Sequence, residues 1–190
     1  VSNYAHHLTI IGAMMNWFKS TLSRRALFGS AVAAAAGTSV VARAAHHGMM
    51  TTTGTVDNAL NGFDPHHMLT DWDTGVVSTR SDGRTVRQFE IAAIEREIEI
   101  APNLRFPAWT YNGRVPGPSL RVTEGDIVRV VFTNHGTHKH NMHFHGIHSP
   151  AMDGLPGVGD VAPGDSFVYE FEAQPYGCHL YHCHAHPLRR

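Results

Sequence analysis

Ile127-Val128-Arg129-Val130-Val131-Phe132-Thr133 is the stretch that decides the fold class. It is dense in β-branched residues, which are stiff at χ1 and suit a pleated, half-buried surface. Upstream, Glu124-Gly125-Asp126 reads as a turn and Leu120 to Val122 as a short strand. Tyr111-Asn112-Gly113-Arg114-Val115-Pro116-Gly117-Pro118 is turn chemistry, with Gly and Pro constraining the backbone. The β pattern begins at Arg87, and Ile94-Glu95-Arg96-Glu97-Ile98-Glu99-Ile100 alternates as a half-buried strand does. Downstream, Ala162-Pro163-Gly164-Asp165 introduces an alternating strand, Phe167 to Phe171, and Leu180 to His184 reads as a further one. No convincing helix signal follows residue 86, and no internal repeat is visible. Short strands at regular spacing between Gly/Pro turns predict an all-β chain folded as an antiparallel Greek-key β-sandwich.

The 190 residues suffice for one domain plus a leader or linker, and the formal charge is −1 with neutral His. That balance offers neither a basic patch for nucleic acid nor an acidic solvating tail. Two cysteines are too few for a disulfide framework. The chain opens on Val1, with Met14 or Met15 placed as an initiator would be. Lys19, Arg24 and Arg25 precede an Ala/Gly-rich apolar run that ends at Ala42-Arg43-Ala44, a small-x-small cleavage pattern. Residues 1–45 therefore read as a twin-arginine type signal region, which implies export to the periplasm or beyond. The competing reading, a membrane anchor, expects a longer run richer in Leu and Ile.

Residues 46–86 read as an extended, partly ordered arm, and 87–190 as the folded domain, incomplete at its C-terminus. The arm's His46-His47 and His66-His67 are adjacent pairs. On an extended chain such neighbours point to opposite sides, so solvated polar residues are the simpler reading.

Two histidine clusters carry the chemistry. The first is His140-Asn141-Met142-His143-Phe144-His145, the second His182-Cys183-His184. Successive side chains on a strand point to opposite faces. His143 and His145 therefore share a face, as do His182 and His184, while Cys183 points the other way. His140, three residues before His143, falls on the opposite side from it. The residues sort into two sites back to back, one of four imidazoles and one of His140 with the Cys183 thiolate. A thiolate with imidazoles suits a blue electron-transfer copper. Paired imidazoles suit copper that reduces oxygen. Zinc also takes Cys and His, but its tetrahedral sites do not call for six such residues divided by parity. Of the flanking His135, His138, His148, His179 and His186, some are expected to orient ligands and most to be surface residues.

From about Ile98 onward the chain resembles the multicopper oxidases, the laccase-like group. The resemblance rests on Tyr111-Asn112-Gly113, Pro116-Gly117-Pro118, Gly125-Asp126, His143-Phe144-His145-Gly146, Asp153-Gly154 and Tyr181-His182-Cys183-His184. It implies a cupredoxin-like domain. It also implies that His140 and Cys183 bind a type 1 copper, His143 a type 2 copper, and His145, His182 and His184 a type 3 pair. Asp153 resembles the acidic residue that relays protons near the cluster; an ordinary Asp-Gly turn is the alternative. The second type 1 histidine is either His186 or a residue beyond Arg190, and the axial ligand is not found.

The four imidazoles supply only half of a trinuclear cluster. The resemblance therefore implies the first domain of a two-domain oxidase related to copper nitrite reductases. Such an enzyme works as a homotrimer, and the printed chain would be inactive alone. The expected partners are O2 and a small reducing substrate, a phenol, aromatic amine or metal ion, with no nucleic acid and no membrane after signal removal. Met49, Met50 and Met68 are a weak pointer to cuprous ion. Two other functions compete. The copper nitrite reductases carry Asp at the position of His143 and a non-ligand at that of His184. A periplasmic blue copper carrier has no use for the four paired imidazoles.

Overall fold

A computed structural model describes residues 7–12, 53–155 and 157–185, with backbone alone for the first segment. The strands are β1 (His7–Gly12), β2 (Trp72–Asp73), β3 (Val76–Thr79), β4 (Thr85–Ala101), β5 (Leu104–Tyr111), β6 (Ser119–Thr123), β7 (Ile127–Asn134), β8 (His143–Phe144), β9 (Ser166–Glu172) and β10 (Cys178–His182). One sheet runs β2-β6-β1-β10-β8, the other β3-β4-β7-β9, with β5 paired to β4. Helical structure among the described residues is confined to two 3-10 turns, Pro65–His67 and Pro150–Met152.

The expected all-β, two-sheet architecture is present, with one correction to its strand directions. Although β4–β5, β7–β9 and β8–β10 are antiparallel, β4–β7, β2–β6 and β1–β10 pair in parallel. Parallel neighbours need a crossover between them. Here β5 and β6 intervene between β4 and β7, so the sheets are mixed.

The deciding stretch behaves as its composition predicts. In β7, Val128, Val130 and Phe132 are buried while Arg129 and Thr133 face outward. They join Phe89, Ile91 and Tyr169 of the same sheet, and Leu120, Phe144 and Tyr181 of the other, in a single core. The alternation expected for residues 94–100 holds only in part. Ile98 is buried, but Ile100 is 53% exposed. The strand changes phase along its 17 residues, with Phe89, Ile91 and Ala93 inward in its first half and Ile98 in its second. A register shift between Glu99 and Ala101 then turns the end of the strand outward.

The stretch read as an arm docks against this sandwich from Asp57 onward. The Asp57 amide donates to Glu99 at 2.5 Å, and Asn61 bonds both the Glu99 carbonyl and amide. Arg114 lies over the Phe63 ring and pairs with Asp71; Arg121 lies over Trp72. His66 and His67 are exposed on the first 3-10 turn. β1, within the stretch read as leader, pairs with β6 and β10. The rest of that stretch, His46-His47 and Met49-Met50 lie outside the described residues. No helix among the described residues is long and apolar enough to cross a membrane.

Candidate metal centre

Two short elements bring the clusters together. β8 pairs antiparallel with β10, placing Phe144 opposite Tyr181 and His143 opposite His182. Phe144 and Tyr181 are fully buried in the core, so parity turns His143 and His182 to the other side. Just past β8, the His145 amide donates to the Leu180 carbonyl at 2.8 Å.

The four imidazoles form one group. Ring centroids lie 4.9 Å apart for His143–His145, 5.3 Å for His143–His182, 5.0 Å for His143–His184 and 4.8 Å for His182–His184. Ligand atoms of His143, His145 and His182 all fall within 4.8 Å of one another. Nε2 of His145 and Nε2 of His182 approach to 2.8 Å. His143 Nδ1 donates to the Asp153 carbonyl at 2.6 Å, which leaves Nε2 as a lone-pair donor. Burial first, then the neighbouring rings, hold His145 and His184 below the usual imidazole range, so both are neutral near pH 7. Neutral imidazole is the form that binds metal.

Cys183 faces the other way, packed against the core. Its Sγ lies 3.6 Å from Nδ1 of His140. His140 is fully buried, and burial pushes its pKa down to about 4. Burial also raises the Cys183 thiol, against the opposing hydrogen bonds from Asn141 and Ala185. A partly buried sulfur and a buried neutral imidazole fit a soft metal ion that displaces the thiol proton. His140 comes not from a strand but from a loop, held by paired hydrogen bonds to Val161 at 3.1 and 2.9 Å. The six residues expected as ligands thus fall into the two expected groups, although His140 reaches the sulfur from a loop and Cys183 and His184 lie just past β10.

Asp153 sits beside the imidazole group, its carboxylate 3.0 Å from His143 Nδ1 and 3.4 Å from His148 Nε2. It also opens the expected turn. Gly154 follows at φ +65°, and a Cβ there would overlap the Met142 carbonyl. Of the other histidines, His138 pairs with Glu95 at 2.9 Å, His179 spans the carbonyls of His145 and Pro175, and His135 is exposed. His186 lies outside the described residues.

Sequence reasoning missed Asn141. Fully buried between the two groups, it accepts from the His184 amide at 2.6 Å and donates to Asp160 at 2.7 Å, while its carbonyl receives the Tyr111 hydroxyl at 2.7 Å. Its place within the first cluster, flanked by His140 and Met142, was the available signal.

A family model described as multicopper oxidase matches residues 94–190, just over half of the chain. The chain belongs to the multicopper oxidase family. A crystal structure of a multicopper oxidase shares 51% identity with it at a TM-score of 0.65, covering 70% of this chain and 48% of that one. A copper resistance protein A homolog of Pseudomonas syringae pv. tomato is 38% identical over 55% of this chain and 18% of its own length. Laccase 1 of Metarhizium acridum is 44% identical over 45% of this chain and 15% of its own length. A copper-containing nitrite reductase of Cereibacter sphaeroides is 33% identical over 54% of this chain and 28% of its own length. This multicopper oxidase chain therefore spans less than a third of the curated relatives it matches.

Proposed function

We propose that this chain forms part of a copper-dependent oxidase that takes single electrons from a phenol, aromatic amine or low-valent metal ion and reduces O2 to water. One observation carries the reading: the Cys183 sulfur faces His140, while the rings of its two neighbours, His182 and His184, face His143 and His145. One backbone segment thereby joins a thiolate site to an imidazole site. Bound there, copper supplies a one-electron acceptor on the thiolate side and an oxygen-binding cluster on the imidazole side.

The chain's own groups have defined parts. His140 and Cys183 would hold the type 1 ion, with a further histidine, His186 or one beyond Arg190, completing its shell. His143 serves the type 2 position, and His145, His182 and His184 the type 3 pair. Asp153 fixes the His143 tautomer and passes protons toward the cluster. Imidazoles from a second domain or a neighbouring copy in a trimer complete the cluster. The Arg24-Arg25 pair and the apolar run after it support export by the twin-arginine route.

Copper analysis and product analysis test this on the oxidase as it assembles in its host. About four coppers per subunit, with oxygen consumed by a phenolic donor, is the expected result. A single copper would point to an electron carrier. Nitrite-dependent nitric oxide formation without oxygen uptake would mean a nitrite reductase and overturn the oxidase reading.

A further inference from the structure

Trp109 connects the buried His140 to the surface. The edge of its indole meets the His140 ring, with centroids 4.8 Å apart and planes at 84°. Its other side forms part of a shallow groove of about 260 Å³, lined by Glu95, Arg96, Glu97, Pro107, Ala108 and Trp109. The pairing of β4 with β5 explains this lining. Glu95 lies opposite Trp109 and Glu97 opposite Pro107, so these four share one face of the sheet, continuing the one that carries Ala93 and Tyr111.

The indole is held in place. The His138 ring packs on it at 5.4 Å, and Glu95 fixes His138 at 2.9 Å. Glu95 is further engaged by the Thr137 amide and hydroxyl. Arg96 is turned away to the Gly113 carbonyl. Glu97 is the carboxylate left toward solvent, 54% exposed and paired with the equally open Arg105. An ion pair that exposed is weak and readily exchanged.

We infer that this groove binds a small aromatic reductant carrying an O–H or N–H group, and that Trp109 bridges that donor to the His140 side of the thiolate site. The inference rests on the proposed oxidase function, which supplies the electron acceptor. A volume just below the roughly 300–1,000 Å³ of drug-sized sites suits a single ring. Indole and proline faces stack on that ring. The Glu97 carboxylate accepts its O–H or N–H. On oxidation the donor loses one electron and its O–H or N–H bond breaks. The proton goes to Glu97 and the electron to the metal centre beside His140. Trp109 ends the step unchanged. A donor in the groove is separated from the ligand ring by one side chain, and electron transfer falls steeply with distance.

The test uses the full chain and hydroquinone. In copper-free protein without oxygen, hydroquinone is expected to give a saturable shift of the Trp109 indole NMR signal and to leave Trp72, stacked on Arg121, unmoved. Trp109→Leu should weaken binding roughly tenfold and Glu97→Gln roughly threefold, while Trp109→Phe keeps most of it. In copper-loaded protein, anaerobic bleaching of the blue band by hydroquinone should slow about tenfold in Trp109→Leu and stay within about threefold in Trp109→Phe. Absence of a saturable shift, or a Trp109→Leu variant that binds and bleaches like the parent, overturns the inference. If Trp109→Leu does not fold, Trp109→Phe and Glu97→Gln carry the comparison. A copper-loaded parent with no blue band would defeat the oxidase function instead, and the copper-free titration would still decide the groove.

Discussion

Nδ1 of His140 lies 3.6 Å from Sγ of Cys183, across 43 residues of chain. The next residue, Asn141, accepts the amide of His184, one past Cys183, so the two clusters are joined twice. The imidazole is buried and Cys183 partly so, and that burial favours the neutral form of each.

Removing the sulfur should separate the two sites. Cys183→Ser is expected to abolish the intense visible absorption of a copper–thiolate bond. Cluster copper should stay bound, because His143, His145, His182 and His184 do not depend on the sulfur. Absorption spectra with copper analysis check this; a blue Cys183→Ser protein would refute the assignment. His143→Ala should show the reverse, keeping the colour and losing oxygen reduction.

Gly154 follows Asp153 at a positive φ, and an added Cβ there would overlap the Met142 carbonyl. Gly154→Ala adds both strain and a backbone clash, and should cost about 2–4 kcal/mol, lowering Tm by roughly 5–15 °C. Gly83 has a similar φ of +85° but nothing within 4 Å of an added Cβ. Gly83→Ala should therefore cost only about 1 kcal/mol. Thermal melts of the two variants compare strain with and without a clash.

Asn141→Ala deletes an acceptor for the His184 amide and a donor to Asp160 in a fully buried position. Leaving those partners unsatisfied should cost about 1–3 kcal/mol each. Both metal sites should loosen, because Asn141 ties the His140 loop to the residues after Cys183. Weaker copper retention on dialysis against a chelator, at both the coloured and colourless sites, is the expected outcome. Asn141→Asp, which keeps the acceptor, should lose less.

Glu95 gives the fold a defined acid sensitivity. Burial works to raise its pKa, but the Thr137 amide, the His138 ring and the Thr137 hydroxyl outweigh that and hold it below the usual carboxylate range. A carboxyl depressed in the folded state adds stability above its unfolded pKa and loses it as pH falls through the folded one. The stability difference between the parent and Glu95→Gln should thus be full at neutral pH and vanish below the usual carboxylate range. Denaturant melts from pH 7 downward measure it; a difference that persists at low pH would show that the contribution is not ionic.

What could be read in the sequence was whatever depends on a two-residue period. Val128, Val130 and Phe132 pointed to the core strand, and the order His182-Cys183-His184 separated sulfur from imidazole, because neighbouring side chains on a strand diverge whatever surrounds them. Those relations are local, and local pattern determines them. Contacts between distant segments were left to the tertiary structure. The pairing of β8 with β10 set His143 opposite His182, and the Val161 bridge rather than strand parity delivered His140 to the sulfur. A register shift exposed Ile100, the buried amide of Asn141 knitted two loops, and an indole on β5 came to rest against the His140 ring from beyond β7. Each depends on which strands become neighbours. That choice is settled by the packing of the whole core and by no single stretch of it.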